Sequence, residues 1–138
     1  MLSHDERRFL LTQRVGHLAT ADDRAIPHVV PVCFTISQAT LYITVDEKPK
    51  RSPRLKRLAN VRSNPAASVL VDAYEEDWSR LWWVRLDGRA RVIEGGPERE
   101  RALALLAGKY AQYRAQLPRG PVLALAIDGW RAWAAADR

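Results

Sequence analysis

Short segments of alternating apolar and polar residues, joined by hairpin-length links, constrain the fold of this chain more than any other feature. The segment PHVVPVCFTI alternates from Val30 to Ile36, which is typical of a β-strand. TLYITVD alternates from Leu41 to Val45 and follows after the four-residue link SQAT, so the two segments are predicted to form a hairpin. Pro31 cannot donate to a strand ladder, so its strand is expected at a sheet edge or at a bulge.

Helical patterns are few and widely spaced. Strands are predicted in VGHLATA, PHVVPVCFTI, TLYITVD, AASVLVDA, RLWWVRLDGRARVI and GPVLALAIDGWRAW, and helices in DERRFLLTQR, PRLKRLANV and GGPERERALALLAGKYAQY. One helix therefore separates the third strand from the fourth, which excludes a regular alternation of strands and helices. The pattern predicts an α+β fold with six antiparallel strands in a barrel, and 138 residues fit one domain, 1–138.

Individual residues mark where some of these elements begin or bend. Ser3 followed by Glu6 predicts a capping box at the start of the first helix, and Pro53 suits the first turn of the second. Gly88 interrupts the fifth strand and marks a candidate β-bulge.

Two elements are predicted to bury one face only. In the third strand, Tyr42 and Thr44 alternate with the apolar residues and are expected on the opposite face. In the second helix, the predicted buried stripe consists of Leu55, Leu58 and Ala59.

The positive charge of the chain is concentrated in one segment. Seven of the 22 lysines and arginines lie between Lys48 and Arg62, with no acid among them, and 15 basic residues remain elsewhere against 16 acidic ones. A nucleic-acid surface usually spreads its cations along a backbone-length face. A single cluster fits a compact anionic ligand at least as well.

The spacing of these cations favours a phosphate site. Lys50 and Arg51 precede the predicted second helix, and Arg54 and Arg57 lie one turn apart on it. The start of a helix offers free N–H groups and a positive dipole end, to which basic side chains add charge-assisted hydrogen bonds. A solvated helix face remains the alternative, although like charges at this density are destabilising unless an anion compensates.

Other residue types give little evidence of chemistry. Cys33 lies on a strand with no cation nearby in the sequence, so packing is favoured over catalysis. His17 and His28 lie on adjacent predicted strands and could approach each other, but no Cys or acidic residue stands at ligand spacing, and no metal site is predicted. Because phosphate-loop, dinucleotide-binding and nucleophile-elbow motifs are absent, no catalytic side chain is assigned and a cofactor is expected to carry the chemistry.

A cytoplasmic location is expected. The stretch MLSHDERRFLL has no apolar run of signal-peptide length, and no segment approaches the roughly 18 apolar residues of a membrane span. The chain has one cysteine and so no internal disulfide.

Two long stretches resemble a known superfamily. GHLATADDRAIPHVVPVCFTISQATLYITVDEKPKR and LANVRSNPAASVLVDAYEEDWSRLWWVRLDGRARV resemble the pyridoxamine 5′-phosphate oxidase-like, FMN-binding split barrels. DEKPKR, NPAASVLVD and DWSRLWWVR are similar, more narrowly, to a branch of F420-dependent enzymes. The resemblance runs from about Gly16 to Trp133. It implies a six-stranded antiparallel split β-barrel with flanking helices, and a homodimer with two cofactor sites at the subunit interface.

The resemblance also implies roles for residues of this chain. Lys56 and Arg57 match the positions that grip the cofactor phosphate, and residues 28–32 match the strand that flanks the ring system. The end of the partner's final strand closes the pocket. The implied cofactor-binding set is Lys50, Arg51, Arg54, Lys56, Arg57, His28, Val30, Pro31, Val32, Trp130 and Trp133.

The choice of cofactor follows from charge. The loop EKPKRSP is more basic than the single phosphate of FMN requires, whereas F420 carries a phosphodiester and a glutamate chain, so the resemblance favours F420 over FMN. Hydride transfer between the reduced deazaflavin and a small electron-poor acceptor is then expected.

The oxidase's basic pair on the second strand and its C-terminal Arg and His lack counterparts here, which argues against pyridoxine phosphate oxidation. An FMN-binding oxidoreductase or flavin carrier, and a non-enzymatic binder of haem or nucleic acid, remain open alternatives.

Overall fold

The computed structural model describes residues 2–45 and 53–135, without the side chains of 53–55. Seven strands and four α-helices lie in these ranges, together with a 3-10 turn at Trp78–Arg80. The strands are β1 (Gly16–Ala21), β2 (Pro27–Val32), β3 (Phe34–Ser37), β4 (Thr40–Thr44), β5 (Ala66–Ala73), β6 (Trp82–Ile93) and β7 (Val122–Ala134); the helices are α1 (His4–Thr12), α2 (Pro53–Ser63), α3 (Pro97–Lys109) and α4 (Ala111–Ala115).

The strands form one antiparallel sheet in the order β2-β1-β5-β6-β7-β4-β3. Its two edge strands, β2 and β3, are separated in the chain by Cys33 alone. Because consecutive Cα atoms are about 3.8 Å apart, the two edges of the sheet must meet at this residue. The sheet therefore curls into a barrel that is left unpaired between β2 and β3, which is a split barrel. We call residues 32–34 the seam.

The predicted second strand is the main correction to the expected architecture, because seven strands replace the six predicted. PHVVPVCFTI forms two strands: β2 pairs with β1, and β3 pairs with β4. The edge position expected from Pro31 is confirmed. The predicted hairpin is formed by β3 and β4, with a link of two residues rather than four, and Gln38 adopts a φ of 55° in it.

The core of the barrel is filled by side chains from every strand, and Leu18, Phe34 and Leu86 are almost completely buried. The expectation that β4 buries one face only is wrong. Tyr42 and Thr44 are also buried, because a second cluster that includes Tyr42 and residues of α3 covers the outside of this strand.

The helices follow their sequence signals at the start and depart from them further along. The capping box at the start of α1 and the start of α2 at Pro53 are confirmed. In α2, Leu58 is buried as predicted, but Ala59 is exposed and Asn60 and Val61 are buried in its place; the side chain of Leu55 lies outside the description. The predicted third helix is divided at Tyr110 into α3 and α4.

Gly88 lies at a bulge, as predicted. The register between β6 and β7 shifts between Asp87 and Gly88. A Cβ atom at position 88 would overlap the carbonyl oxygen of Ala126 and lie 2.9 Å from its carbonyl carbon. The close approach of β7 therefore requires glycine here. No helix in the described part of the chain is long and apolar enough to cross a membrane.

Candidate anion site

Helix α2 is docked on the barrel by a buried polar contact. Asn60 is 1% exposed, and its side-chain Nδ2 donates to Thr20 Oγ1 on β1 at 3.1 Å. Leu58 and Val61 are buried on the same side of the helix. This docking fixes the start of α2, with its basic residues, beside the loop that joins β1 and β2.

Lys56 is held at this position by Asp22, which follows β1. The Asp22 carboxylate accepts hydrogen bonds from the backbone N–H groups of Arg24 at 2.9 Å and Ile26 at 3.0 Å. These two bonds, the one from Ile26 first, lower the pKa of Asp22, and Lys56 adds to the effect. The other carboxylate oxygen is 3.6 Å from Lys56 Nζ, whose side chain is 48% exposed. Asp22 thus orients the lysine at the surface.

His28 on β2 lies directly across the ladder from Thr20. Burial lowers the pKa of His28 from its ordinary value, and the charges of Arg57 and Lys56 lower it further. The ring nitrogen Nδ1 is buried and has no hydrogen-bond partner among the described residues. Three residues of the predicted set, His28, Lys56 and Arg57, are therefore brought together by α2 and β2.

A cavity of about 160 Å³ opens at the seam, and Arg57 is the member of this cluster that lines it. It connects the predicted residues Arg57, Pro31 and Val32 with residues of β4 and α4. Inside it, Thr44 Oγ1 donates to the Tyr113 hydroxyl at 2.9 Å. The full lining is Val15, Pro31, Val32, Cys33, Thr44, Arg57 and Tyr113.

The remaining predicted residues lie elsewhere or outside the description. Val30 points inward and packs against the core. Lys50 and Arg51 lie outside the described residues, and the side chain of Arg54 in α2 is likewise not described.

Within the single chain described, the two tryptophans of β7 are not part of the basic cluster. Trp130 pairs with Leu86 and packs against the core. Trp133 is 44% exposed and lines a separate cleft of about 220 Å³ with residues of α1.

The fold also brings in residues that sequence reasoning missed. Asn60 could have been noticed as a polar residue between the apolar positions 58 and 61, and Asp22 as an Asp in a turn sequence. Cys33 shares the seam cavity with Arg57, a cation distant in sequence.

His17 and His28 do not approach each other closely, because their partners on the β1–β2 ladder are Pro31 and Thr20. The two histidines are therefore offset by three positions along the ladder, or about 10 Å.

A larger groove of about 700 Å³ lies between α1 and the link from β5 to β6. Its two arginines, Arg8 and Arg80, are balanced by two carboxylates, and Arg80 pairs with Glu75 at 3.0 Å. The groove therefore offers no net charge to an anion, and the start of α2 is the stronger candidate despite its smaller cavity. The lining of the groove is Asp5, Arg8, Phe9, Thr12, Gln13, Ala73, Glu75, Arg80 and Trp82.

The fold and the site define a class: a split antiparallel barrel with a basic helix start beside its open seam. Comparison with known families agrees with this description. Residues 2–134 match the model of the family described as pyridoxamine 5′-phosphate oxidase. The chain belongs to that family.

Solved structures show the same fold. A FAD-binding protein from Mesorhizobium loti is 26% identical, with a TM-score of 0.69 over 95% of this chain and 94% of that one. A conserved hypothetical protein from Mycobacterium tuberculosis is 18% identical, with a TM-score of 0.76 over 98% and 86%. HutZ, the haem storage protein from Vibrio cholerae, is 17% identical, with a TM-score of 0.73 over 96% and 94%. The search of curated proteins gave no significant match.

Proposed function

We propose that this protein is an oxidoreductase that binds a flavin or deazaflavin by its phosphate at the start of α2. The observation that carries the proposal is that Arg57 lines the seam cavity while Arg57 and Lys56 of α2 lie near enough to His28 for their charges to lower its pKa. Cations at a helix start form charge-assisted hydrogen bonds with phosphate oxygens. Membership of the family and the likeness to a FAD-binding protein support a cofactor of this type.

The residues of the chain would bind and orient the cofactor. Lys56, held by Asp22, and Arg57 would fix the phosphate, while Pro31 and Val32 would present an apolar wall at the seam. When bound, the cofactor supplies hydride transfer; the protein supplies position and a cleft from which water is excluded. The proposal assigns no catalytic side chain.

F420 is the cofactor that we propose, with FMN as the alternative. Lys48, Lys50 and Arg51 add three cations to the sequence just before α2. A phosphodiester followed by a glutamate chain carries more negative charge than one phosphate does, so it makes better use of these cations. The proposed reaction is hydride transfer between the reduced deazaflavin and a small electron-poor acceptor.

We propose further that the protein acts as a homodimer. The seam cavity, about 160 Å³, is smaller than the roughly 300–1,000 Å³ of most ligand pockets, so a second surface is needed to enclose the cofactor. Apolar side chains are exposed on the strands, with Val29 62% and Leu70 37% accessible. In the proposed dimer they would be covered, and the end of the partner's β7, near Trp130 and Trp133, would close the site.

Haem binding is a second candidate. A neutral imidazole can ligate iron, and His28 is held toward its neutral form next to two cations that could pair with haem carboxylates. One structural neighbour is a haem storage protein. Titration with haem, F420 and FMN separates the candidates, since a Soret band with haem and no response to the other two would favour this reading.

The proposal is tested by titrating the purified protein with F420 and with FMN, each followed by cofactor fluorescence. Replacing Lys56 and Arg57 together by alanine should weaken binding by at least tenfold, since each charged hydrogen bond contributes about 1.5–3 kcal/mol. Arg62→Ala is the matched control: Arg62 lies on the same helix but pairs with Glu94 at 2.7 Å. Equal affinities of the double variant and the control would refute the assignment. A steep salt dependence on DNA, with no cofactor response, would favour nucleic acid instead.

A further inference from the structure

His28 stands in an environment that disfavours its protonation. Its neighbour across the ladder, Thr20, does not titrate. Among the described residues, Arg57 and Lys56 of α2 are the charged groups that lower the pKa of His28. Asp22, after β1, pairs with Lys56 and offsets part of its charge. An imidazolium here would add a third positive charge to the cluster.

The buried ring nitrogen adds to this effect. Nδ1 of His28 has no hydrogen-bond partner among the described residues. If it carried a proton, a buried donor would be left without an acceptor, which is unfavourable. The neutral ring with its proton on Nε2 avoids this arrangement. Burial and the two cations together keep the pKa of His28 below its ordinary value.

A bound phosphate group would reverse the electrostatic part of this balance. Phosphate oxygens beside Lys56 and Arg57 would offset the charges that oppose protonation, would themselves attract an imidazolium, and would supply an acceptor for the Nδ1–H that otherwise has none. The electrostatic effect of Lys56 and Arg57 on an imidazolium at His28 would then become less unfavourable.

We propose that His28 is a proton-linked ligand of the anion site, neutral in the free protein and protonated when the phosphate group of the cofactor binds beside Lys56 and Arg57. The proposal rests on the proposed function for the position of the phosphate. It moves His28 from the ring system, where the family resemblance puts it, to the anionic end of the cofactor. Cofactor affinity then gains a contribution that increases as the pH falls from about 8 to about 6, by at most about tenfold per pH unit for one proton.

The first test uses sulfate, a dianion that does not itself titrate near neutral pH. The pKa values of the three histidines are followed by NMR with and without saturating sodium sulfate, at constant ionic strength, and His28→Gln assigns the resonance. We expect the pKa of His28 to lie below its ordinary value without sulfate and to rise by about one unit or more with it. His4 and His17 are internal controls. A pKa of His28 that does not move would overturn the proposal.

The second test compares FMN and F420 affinities of the wild type and His28→Gln across the same pH range. Titration of the FMN phosphate affects both proteins alike, so the ratio of their affinities isolates His28. We expect this ratio to increase in favour of the wild type as the pH falls. We also expect calorimetry in two buffers of different ionisation enthalpy to show proton uptake by the wild type alone.

The two proposals fail in different ways. If the Lys56 and Arg57 double variant loses affinity but His28→Gln keeps the pH profile of the wild type, His28 is not proton-linked and the anion site stands. If the double variant keeps full cofactor affinity, the site itself is wrong. Should neither cofactor bind, the sulfate titration still decides whether His28 responds to an anion.

Discussion

Replacing Gly88 by alanine should destabilise the barrel more than the same replacement at the other strand glycines, Gly16 and Gly129. The added Cβ would overlap the carbonyl oxygen of Ala126 and would lie 2.9 Å from its carbon and 3.2 Å from the Cα of Ile127. All three atoms belong to the backbone of β7, so no side-chain rotation can make room. The two strands must instead separate at the bulge.

The expected loss in the free energy of unfolding follows from how far the two strands must separate. Normal contact to a Cβ begins near 3.4 Å, so β6 and β7 must move apart by about 1 Å or more. Overpacking of this kind typically costs about 1–3 kcal/mol, and one or two stretched ladder hydrogen bonds add about 1 kcal/mol each. We expect the free energy of unfolding to fall by about 3–4 kcal/mol, a large part of the roughly 5–15 kcal/mol that holds a domain together.

Gly129→Ala supplies the matched control. Gly129 faces Asp87 across the same irregularity, but no atom lies within 4 Å of the position its Cβ would occupy. Urea unfolding followed by tryptophan fluorescence, at one protein concentration, should show a midpoint for Gly88→Ala about 1–2 M below that of the control. Midpoints within about 0.3 M of each other would show that β7 does not approach Gly88 as described.

Two further predictions concern the end of α3. Burial lowers the pKa of Lys109 to about 8, so between about pH 8 and 10.5 the unfolded chain holds a proton that the native protein has released. The contribution of Lys109 to the free energy of unfolding should therefore rise with pH over that range. Denaturation of Lys109→Met should lack this rise, and parallel curves of unfolding free energy against pH for the two proteins would refute the idea. The Tyr110 hydroxyl accepts from the Phe34 N–H at 3.1 Å, so Tyr110→Phe should lower the free energy of unfolding by about 1–3 kcal/mol at pH 7. Because burial raises the pKa of Tyr110 to about 12, the same variant should also remove a loss of stability that begins near pH 10; an unaltered alkaline limb would contradict this.

Features set by local chemistry could be predicted from the sequence. Ser3 and Glu6 form the capping box because both partners lie within one turn. Pro31 marks an edge strand because it lacks a donor, and Gly88 marks a bulge because it lacks a side chain. The cluster of cations was visible for the same reason, since Lys56 and Arg57 are neighbours in the chain.

Features set by distant partners could not be predicted. The alternation of PHVVPVCFTI continues through Cys33, so nothing local shows that pairing changes there from β1 to β4. Tyr42 is buried by a helix that begins more than fifty residues later. At the site, the contact from Asn60 to Thr20 spans forty residues, and composition alone does not reveal which polar residues will meet across such a distance.

The position of β7 in the sheet bears on how the chain is made. This last strand lies between β6 and β4, so the β3–β4 hairpin joins the rest of the ladder only through residues 122–134. During synthesis the early hairpin must wait, with one side unpaired, until residues 122–134 have left the ribosome. A nascent chain stalled before residue 122 would expose that strand edge to other proteins, and chaperone capture of such truncated chains should be greatest until β7 emerges.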